Sequence, residues 1–343
     1  MPRFSKRDRD GIAAIRGRCQ DLLVDTPAFP EVVGDRKIIR FLTGHDYNID
    51  KATEMFRKFL LWRRENDVDA IRQMIIFGGM DHPTKFPKAD IILKLMPCLA
   101  IAHEACDKMG SPICVDQYDF EPSEVIEKIG VDAYYKFFVH VLEFKSIILE
   151  QMGEKRDREY LASLPDDNAR AHALDEKLDP EPAPWGNVVG TLVIRDLKGV
   201  GFRHIGPTGQ EIIKLMVTVS SDNYPELLRK SFLINSPWIF TSVWYVIKGW
   251  VAAKTASKIQ LMGGDYMGVL KENIDEENIP VMLGGVSTKN SSLVYEPFEF
   301  DKPYFDVTYK GSTEADRQAA NIAQEKSSTG QTTSDITPPI PGE

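Results

Sequence analysis

Asp222-Asn223-Tyr224-Pro225-Glu226 opens a stretch that continues as Phe232-Leu233-Ile234-Asn235-Ser236-Pro237-Trp238-Ile239-Phe240, then Lys254-Thr255-Ala256-Ser257-Lys258-Ile259, and closes as Ile279-Pro280-Val281-Met282-Leu283-Gly284-Gly285. Proline pushes its predecessor out of the helical region, so a helix ends before Pro225. A short apolar strand, residues 232–235, follows, with a turn at Asn235-Ser236-Pro237. Next comes a helix, Trp238 to Val251, apolar on nearly every face, and then a strand from Lys258 to Met262. A helix of that kind is buried, sits against lipid, or covers something greasy. Its tryptophans, 238, 244 and 250, favour the last of these, because tryptophan prefers the lipid–water interface.

Upstream, the pattern alternates. Ile113 to Tyr118 reads as a strand and Asp132 to Met152 as a long helix. Residues 153–186 are charged and carry Pro165, Pro180, Pro182 and Pro184, and read as a surface insertion or loop. Thr191 to Arg195 reads as a buried strand and Gln210 to Ser220 as a helix. Strands alternating with helices predict an α/β sheet covered by helices. Before it, Ile38, Ile39, Phe41 and Leu42 form one helical face. Ile49, Ala52, Met55, Phe56, Phe59 and Leu60 form another at i, i+3, i+4 spacing. The expected divisions are an N-terminal extension (1–35), a helical subdomain (36–80), an α/β domain (81–286), a C-terminal extension (287–310) and a disordered tail (311–343) rich in Ser, Thr, Gln, Gly and Pro.

With 343 residues, 43% of them hydrophobic, the chain can bury a sizeable core. A net charge of −9 argues against nucleic-acid partners, which need a basic face. Four cysteines without a signal peptide point to a reducing, cytoplasmic setting. Ser231 to Ile247 is a 17-residue run free of charge. It falls short of the about 20 residues a spanning helix needs, and Asn235-Ser236-Pro237 interrupts it, so a soluble protein is expected. Gly199-Val200-Gly201 follows a strand, but His204 stands where a dinucleotide fingerprint needs a small residue, so a turn without cofactor is the better reading. No zinc-ligand spacing and no G-x-S-x-G elbow occurs. No metal, cofactor or catalytic residue is expected, and a nucleotide-dependent oxidoreductase is the rival from another class.

The motifs, in their order, resemble the CRAL-TRIO lipid-binding family, specifically its yeast-type phosphatidylinositol transfer proteins. The residues that carry the likeness are Arg40-Phe41-Leu42, Ala52-Thr53-Glu54-Met55, Trp62-Arg63, Asp196-Leu197-Lys198-Gly199, Tyr224-Pro225-Glu226, Ile234-Asn235-Ser236-Pro237 and Leu283-Gly284-Gly285. The resemblance implies a helical subdomain followed by a sheet that, with its helices, encloses one lipid beneath a gate helix. Phe240, Val243, Trp244, Ile247, Trp250 and Val251 belong to that gate, with Trp244 and Trp250 expected to face lipid. It further implies phosphatidylinositol as ligand, with Glu226, Thr255 and Lys258 at the headgroup. Those residue types suit an inositol phosphate, since they offer an ammonium for the phosphodiester, a hydroxyl donor, and an acceptor for ring hydroxyls. On residue chemistry alone, a structural Glu226–Lys258 or Glu226–Lys230 ion pair and a capping Thr255 remain equally open. A carrier is physically needed because each exposed acyl methylene costs ~0.8 kcal/mol, on the order of 20 kcal/mol for two chains.

Departures from the family narrow the expectation. Thr43-Gly44-His45-Asp46 stands where a basic cluster is common, and Leu227 where an arginine is usual. Both lower the expected phosphoinositide affinity. Where relatives that also carry phosphatidylcholine place tyrosines and hydroxyls, this chain has His103, Cys114 and Val193; Thr191 alone keeps its hydroxyl. The implied behaviour is phosphatidylinositol transfer with poor phosphatidylcholine transfer, by a monomer that visits endomembranes of the Golgi and endoplasmic reticulum. Within the family, a carrier of a sterol, a tocopherol-like molecule or haem is the alternative.

Overall fold

A computed structural model describes residues 4–80, 83–95, 100–117, 121–174 and 189–288. The expected tail, and most of the C-terminal extension, lie outside the described residues. The chain opens with helices Lys6–Arg18, Asp35–Gly44, Ile49–Glu65 and Val68–Ile76. Two of their starts are fixed by side chains that satisfy otherwise unpaired N–H groups. Ser5 forms a reciprocal capping box with Asp8, and Asn48 accepts from the Lys51 N–H at 3.0 Å. The predicted spacing buries Ala52, Phe56, Phe59 and Leu60, and Phe41 meets the Phe56 and Phe59 rings at 5.3 and 5.4 Å. The division expected at Arg36 does not divide the core. Ile12, Ile15, Cys19, Phe29 and Val32 pack into the same cluster as Phe41 and Phe56.

Five strands follow: β1 (Ala100–Cys106), β2 (Pro112–Gln117), β3 (Thr191–Asp196), β4 (Leu228–Ile234) and β5 (Ile259–Leu261), adjacent in that order. The first pair is antiparallel and the other three pairs are parallel. Parallel neighbours need crossover connections, and helices supply all three. Val131–Ser163 lies between β2 and β3, Pro207–Asn223 between β3 and β4, and Phe240–Lys248 between β4 and β5. Strand alternation sends Ile113, Val115, Leu192, Ile194, Phe232 and Ile234 to one face, where Leu270, Ile274, Ile279 and Leu283 cover them. The other face carries Asp116, Thr191, Val193, Arg195 and Leu233 toward the helices, where all of them line a cavity.

Leu283-Gly284-Gly285 closes that covering layer for a steric reason. Gly284 has φ +87°, and a Cβ on Gly285 would lie 2.1 Å from the Ile279 carbonyl oxygen. Likewise Asn235, at φ 51°, donates from its amide to Asp196 at 2.8 Å, which ties the Asn-Ser-Pro turn to the Asp-Leu-Lys-Gly turn.

Three sequence expectations are corrected. Residues 153–163 are not a loop: the helix that begins at Val131 runs 33 residues to Ser163. This segment has no proline and is rich in helix-favouring Glu, Lys and Arg. The buried Arg36 side chain fastens it, pairing with Glu150 at 2.8 Å, Glu154 at 2.7 Å and also Asp157. A further helix, Asp167–Leu174, follows, and residues 175–186 of the expected insertion lie outside the described residues. The antiparallel strand β1 escaped the sequence reading. The apolar helix expected over Trp238 to Val251 is regular only from Phe240 to Lys248, where Gly249 ends it.

Candidate functional site

Between the sheet and its helices lies a cavity of about 330 Å³. Two helices line it through stripes at helical spacing. Tyr134, Phe137, Phe138, Val141, Leu142 and Lys145 come from one, and Ile212, Ile213, Met216, Val217 and Ser220 from the other. Phe240, Trp244, Ile247 and Val251 also line the cavity. These are four of the six expected gate residues. The other two, Val243 and Trp250, are half-buried and pack against the cluster of Leu197, Val200, Leu233, Phe240 and Ile247 instead. Within residues 238–251 the aromatic side chains that point outward are Trp238 and Tyr245, 84% and 83% exposed.

Glu226, Thr255 and Lys258 all line this cavity. The turn Tyr224-Pro225-Glu226-Leu227 places proline second and a positive φ, 56° at Glu226, third, the arrangement of a type II turn. Glu226 is strained there, lacking glycine's freedom. Arg40 holds it: its buried guanidinium donates to the carbonyls of Glu226 and Val189, both at 2.7 Å. The arginine of Arg40-Phe41-Leu42 is therefore a positioning residue for the turn, which its place in the motif did not reveal. Burial pushes the Arg40 guanidinium down to about 10, outweighing the nearby Glu150 carboxylate, and leaves it charged at neutral pH.

The Glu226 carboxylate accepts from Lys258 at 2.7 Å and lies 3.5 Å from Lys254. Lys258 also donates to the Leu228 carbonyl at 3.0 Å. The ion pair weighed as the plain alternative therefore exists, and it lines the cavity. Thr255 sits on the short helix Ala253–Ser257, half-buried, between the two lysines.

Lys254 was not singled out in the sequence, yet it accounts for Asp46. Its ammonium lies 3.3 Å from the Asp46 carboxylate and donates to the Thr43 carbonyl, so the acid at this departure from the family pattern is partnered. Burial, aided by the Lys51 charge, lowers the His45 imidazole below its ordinary value, so this position adds no positive charge at neutral pH. Leu227, where the family favours arginine, is a buried apolar part of the wall.

Of the second group of candidates, Thr191 and Val193 line the cavity, and the Thr191 hydroxyl donates to the Leu227 carbonyl at 3.1 Å. Cys114 does not line it. It is fully buried in the apolar cluster with Val139 and Val193, and desolvation raises its thiol to about 11. The His103 side chain lies outside the described residues. The Gly199 turn leads into a 3₁₀ segment, Phe202–Ile205, where the His204 ring accepts from the Gly201 N–H at 2.9 Å. Among the described residues no cluster of three or more His, Cys, Asp or Glu is arranged for a metal, and no helix is long and apolar enough to cross a membrane.

Comparison with known proteins agrees with this architecture. The CRAL/TRIO domain family matches residues 98–285. The chain is 26% identical over 283 residues to the phosphatidylinositol/phosphatidylcholine transfer protein SFH12 of Arabidopsis thaliana, covering 82% of this chain and 45% of that protein. It is 26% identical over 257 residues to the Sec14 cytosolic factor of Schizosaccharomyces pombe, covering 75% and 76% respectively. The chain thus spans less than half the length of SFH12 and of its Arabidopsis relative SFH7. A crystal structure of Sfh5 superposes with a TM-score of 0.57 at 15% identity, covering 90% of this chain and 98% of that one, a likeness of fold. With more than half its length matched and the lined cavity in place, the chain belongs to the CRAL/TRIO domain family, beside the phosphatidylinositol transfer proteins it resembles.

Proposed function

We propose that this protein carries a single lipid, phosphatidylinositol or a related phospholipid, in its cavity and exchanges it between membranes without making or breaking bonds. The supporting observation is the presence of two chemistries in one cavity: apolar and aromatic walls, with Glu226, Thr255 and Lys258 also in its lining. The walls suit acyl chains; the polar group suits a phosphodiester bearing hydroxyls. The names of the plant relatives support the same ligand class. In this reading the protein works as a monomer from the cytoplasm, docking briefly on endomembranes. The test is native mass spectrometry of the purified protein, followed by transfer between vesicles. Co-purified phospholipid is expected, with phosphatidylinositol moved well above an inert-protein control and phosphatidylcholine moved poorly. Absence of both lipid and transfer would end the carrier reading. Efficient phosphatidylcholine exchange would show that the headgroup preference is wrongly assigned.

The helix Phe240–Lys248 serves as the gate, docking through its outward aromatics. Trp238 and Tyr245 bury little in the protein, so replacing both with alanine is expected to leave the melting temperature unchanged. Co-sedimentation with anionic vesicles, however, should fall several-fold, since both side chains favour the interface. Unchanged co-sedimentation would move the docking surface elsewhere.

A further inference from the structure

The stripe that helix Val131–Ser163 turns toward the cavity is apolar or aromatic at Tyr134, Phe137, Phe138, Val141 and Leu142, and then presents Lys145. Lys145 is 9% exposed, and among the described residues it has no hydrogen bond and no ion pair. On the sheet below, Asp116 and Arg195 are register partners on β2 and β3, and both line the same cavity. The Arg195 Nε lies 3.4 Å from one Asp116 oxygen and its terminal nitrogen 3.4 Å from the Ser231 hydroxyl. The other Asp116 oxygen, Oδ1, is buried without a hydrogen-bond partner.

The Lys145 ammonium therefore faces a largely apolar cavity with no partner of its own among the described residues. A buried charge without a partner is costly, because apolar walls supply neither hydration nor screening. That positive charge is balanced most directly by a ligand that brings one negative charge. Lys145 stands on the helix wall and shares no hydrogen bond or ion pair with Glu226, Thr255 or Lys258, whereas on the sheet the Ser231 that Arg195 approaches donates its N–H to the Lys258 carbonyl.

We propose that Lys145 and Arg195, with Asp116 orienting the guanidinium, seat the small anionic head of a second class of cargo: a long-chain amphiphile ending in a carboxylate or a phosphomonoester. The proposal rests on the carrier reading of the cavity. Within it, the apolar stripe from Tyr134 to Leu142 flanks the hydrocarbon tail, and the anion meets the ammonium that the protein itself leaves unpaired. Lys145 thereby sets a preference for charged over neutral single-chain lipids.

The experiment is titration of the delipidated full-length protein, followed by tryptophan fluorescence and native mass spectrometry. Oleate is compared with methyl oleate, and oleoyl lysophosphatidate with monoolein, to separate the two sources of the anion. The wild type is expected to prefer at least one anion over its neutral partner by about tenfold or more, the range of a charge-assisted hydrogen bond. Lys145→Met should abolish that preference, while Lys145→Arg retains it. Without ligand, Lys145→Met should melt no lower than the wild type, because an unpaired buried charge has been removed. Equal binding of charged and neutral partners by the wild type, or an unchanged preference in Lys145→Met, overturns the anion seat while leaving phosphatidylinositol transfer standing. Should Lys145→Met fail to fold, the wild-type comparison alone decides. Failure to take up any amphiphile, phosphatidylinositol included, overturns the carrier reading and this proposal together.

Discussion

Lys258→Ala is expected to lower phosphatidylinositol transfer about 10- to 100-fold, because a hydrogen bond to a charged partner contributes about 1.5–3 kcal/mol and each 1.4 kcal/mol is a factor of ten. The loss should appear in transfer and not in folding. With the ammonium gone, Glu226 keeps Lys254 at 3.5 Å, so no carboxylate is stranded in the wall. The apolar lining is untouched, and lipid should still co-purify in reduced amount. Lys258→Arg restores the charge and should recover part of the activity. Vesicle transfer of labelled phosphatidylinositol, run beside a melting curve, provides the check. Unchanged transfer by the alanine variant would mean that the Glu226–Lys258 pair serves only the fold.

A second large effect concerns the joint between the N-terminal helices and the CRAL/TRIO domain. Arg63 and Glu143 side chains are each 1% exposed and meet bidentately, at 2.8 and 2.9 Å. Arg63 also donates to Asp69 at 2.8 Å, and the Tyr224 hydroxyl donates to Glu143 at 2.6 Å. Removing one partner strands the other without water, so Arg63→Ala is expected to destabilise the protein by about 3–5 kcal/mol. Urea unfolding measures this, and a loss below about 1 kcal/mol would contradict it. Burial alone would raise the Glu143 carboxyl, but the Arg63 charge, with hydrogen bonds from Arg63 and Tyr224, holds it below the ordinary carboxylate value. A group depressed in the folded state stabilises at pH above its unfolded value, and that contribution is lost as pH falls through the folded one. The wild-type urea midpoint should therefore drop on acidification below about pH 4, and less so in Glu143→Gln.

Periodicity and punctuation made much of the fold legible. The i, i+3, i+4 run from Ile49 gave the helix Ile49–Glu65, and the apolar strand runs gave β2, β3 and β4. The charge run and the prolines from Pro165 onward misled over residues 153–163. Those charged residues belong to a helix because Arg36, over a hundred positions upstream, binds them. β1 was missed because Ala100–Cys106 has neither the alternation nor the β-branched content of a strand, and pairing with β2 places it. Of the site, Glu226, Thr255 and Lys258 were found through the order of the family's motifs, not through spacing. Arg40 and Lys254 escaped because each acts on backbone carbonyls brought near only by the fold. Lys145 escaped because one lysine in a helical stripe looks like a solvated residue until the opposite wall is known.

The helix Phe240–Lys248, the gate in the carrier reading proposed above, has no side-chain cap, and only Phe240 and Ile247 on it are buried. Exposing those two side chains costs about 3–6 kcal/mol. Left to itself in water, an opened form would then be populated at roughly one part in a hundred to one in ten thousand. Such a latch leaks slowly during a journey between membranes, yet a surface that favours the open form by twice the opening cost, about 6–12 kcal/mol, would reverse the ratio. Delivery would thus be governed by where the carrier is, with no chemical fuel needed to set its direction.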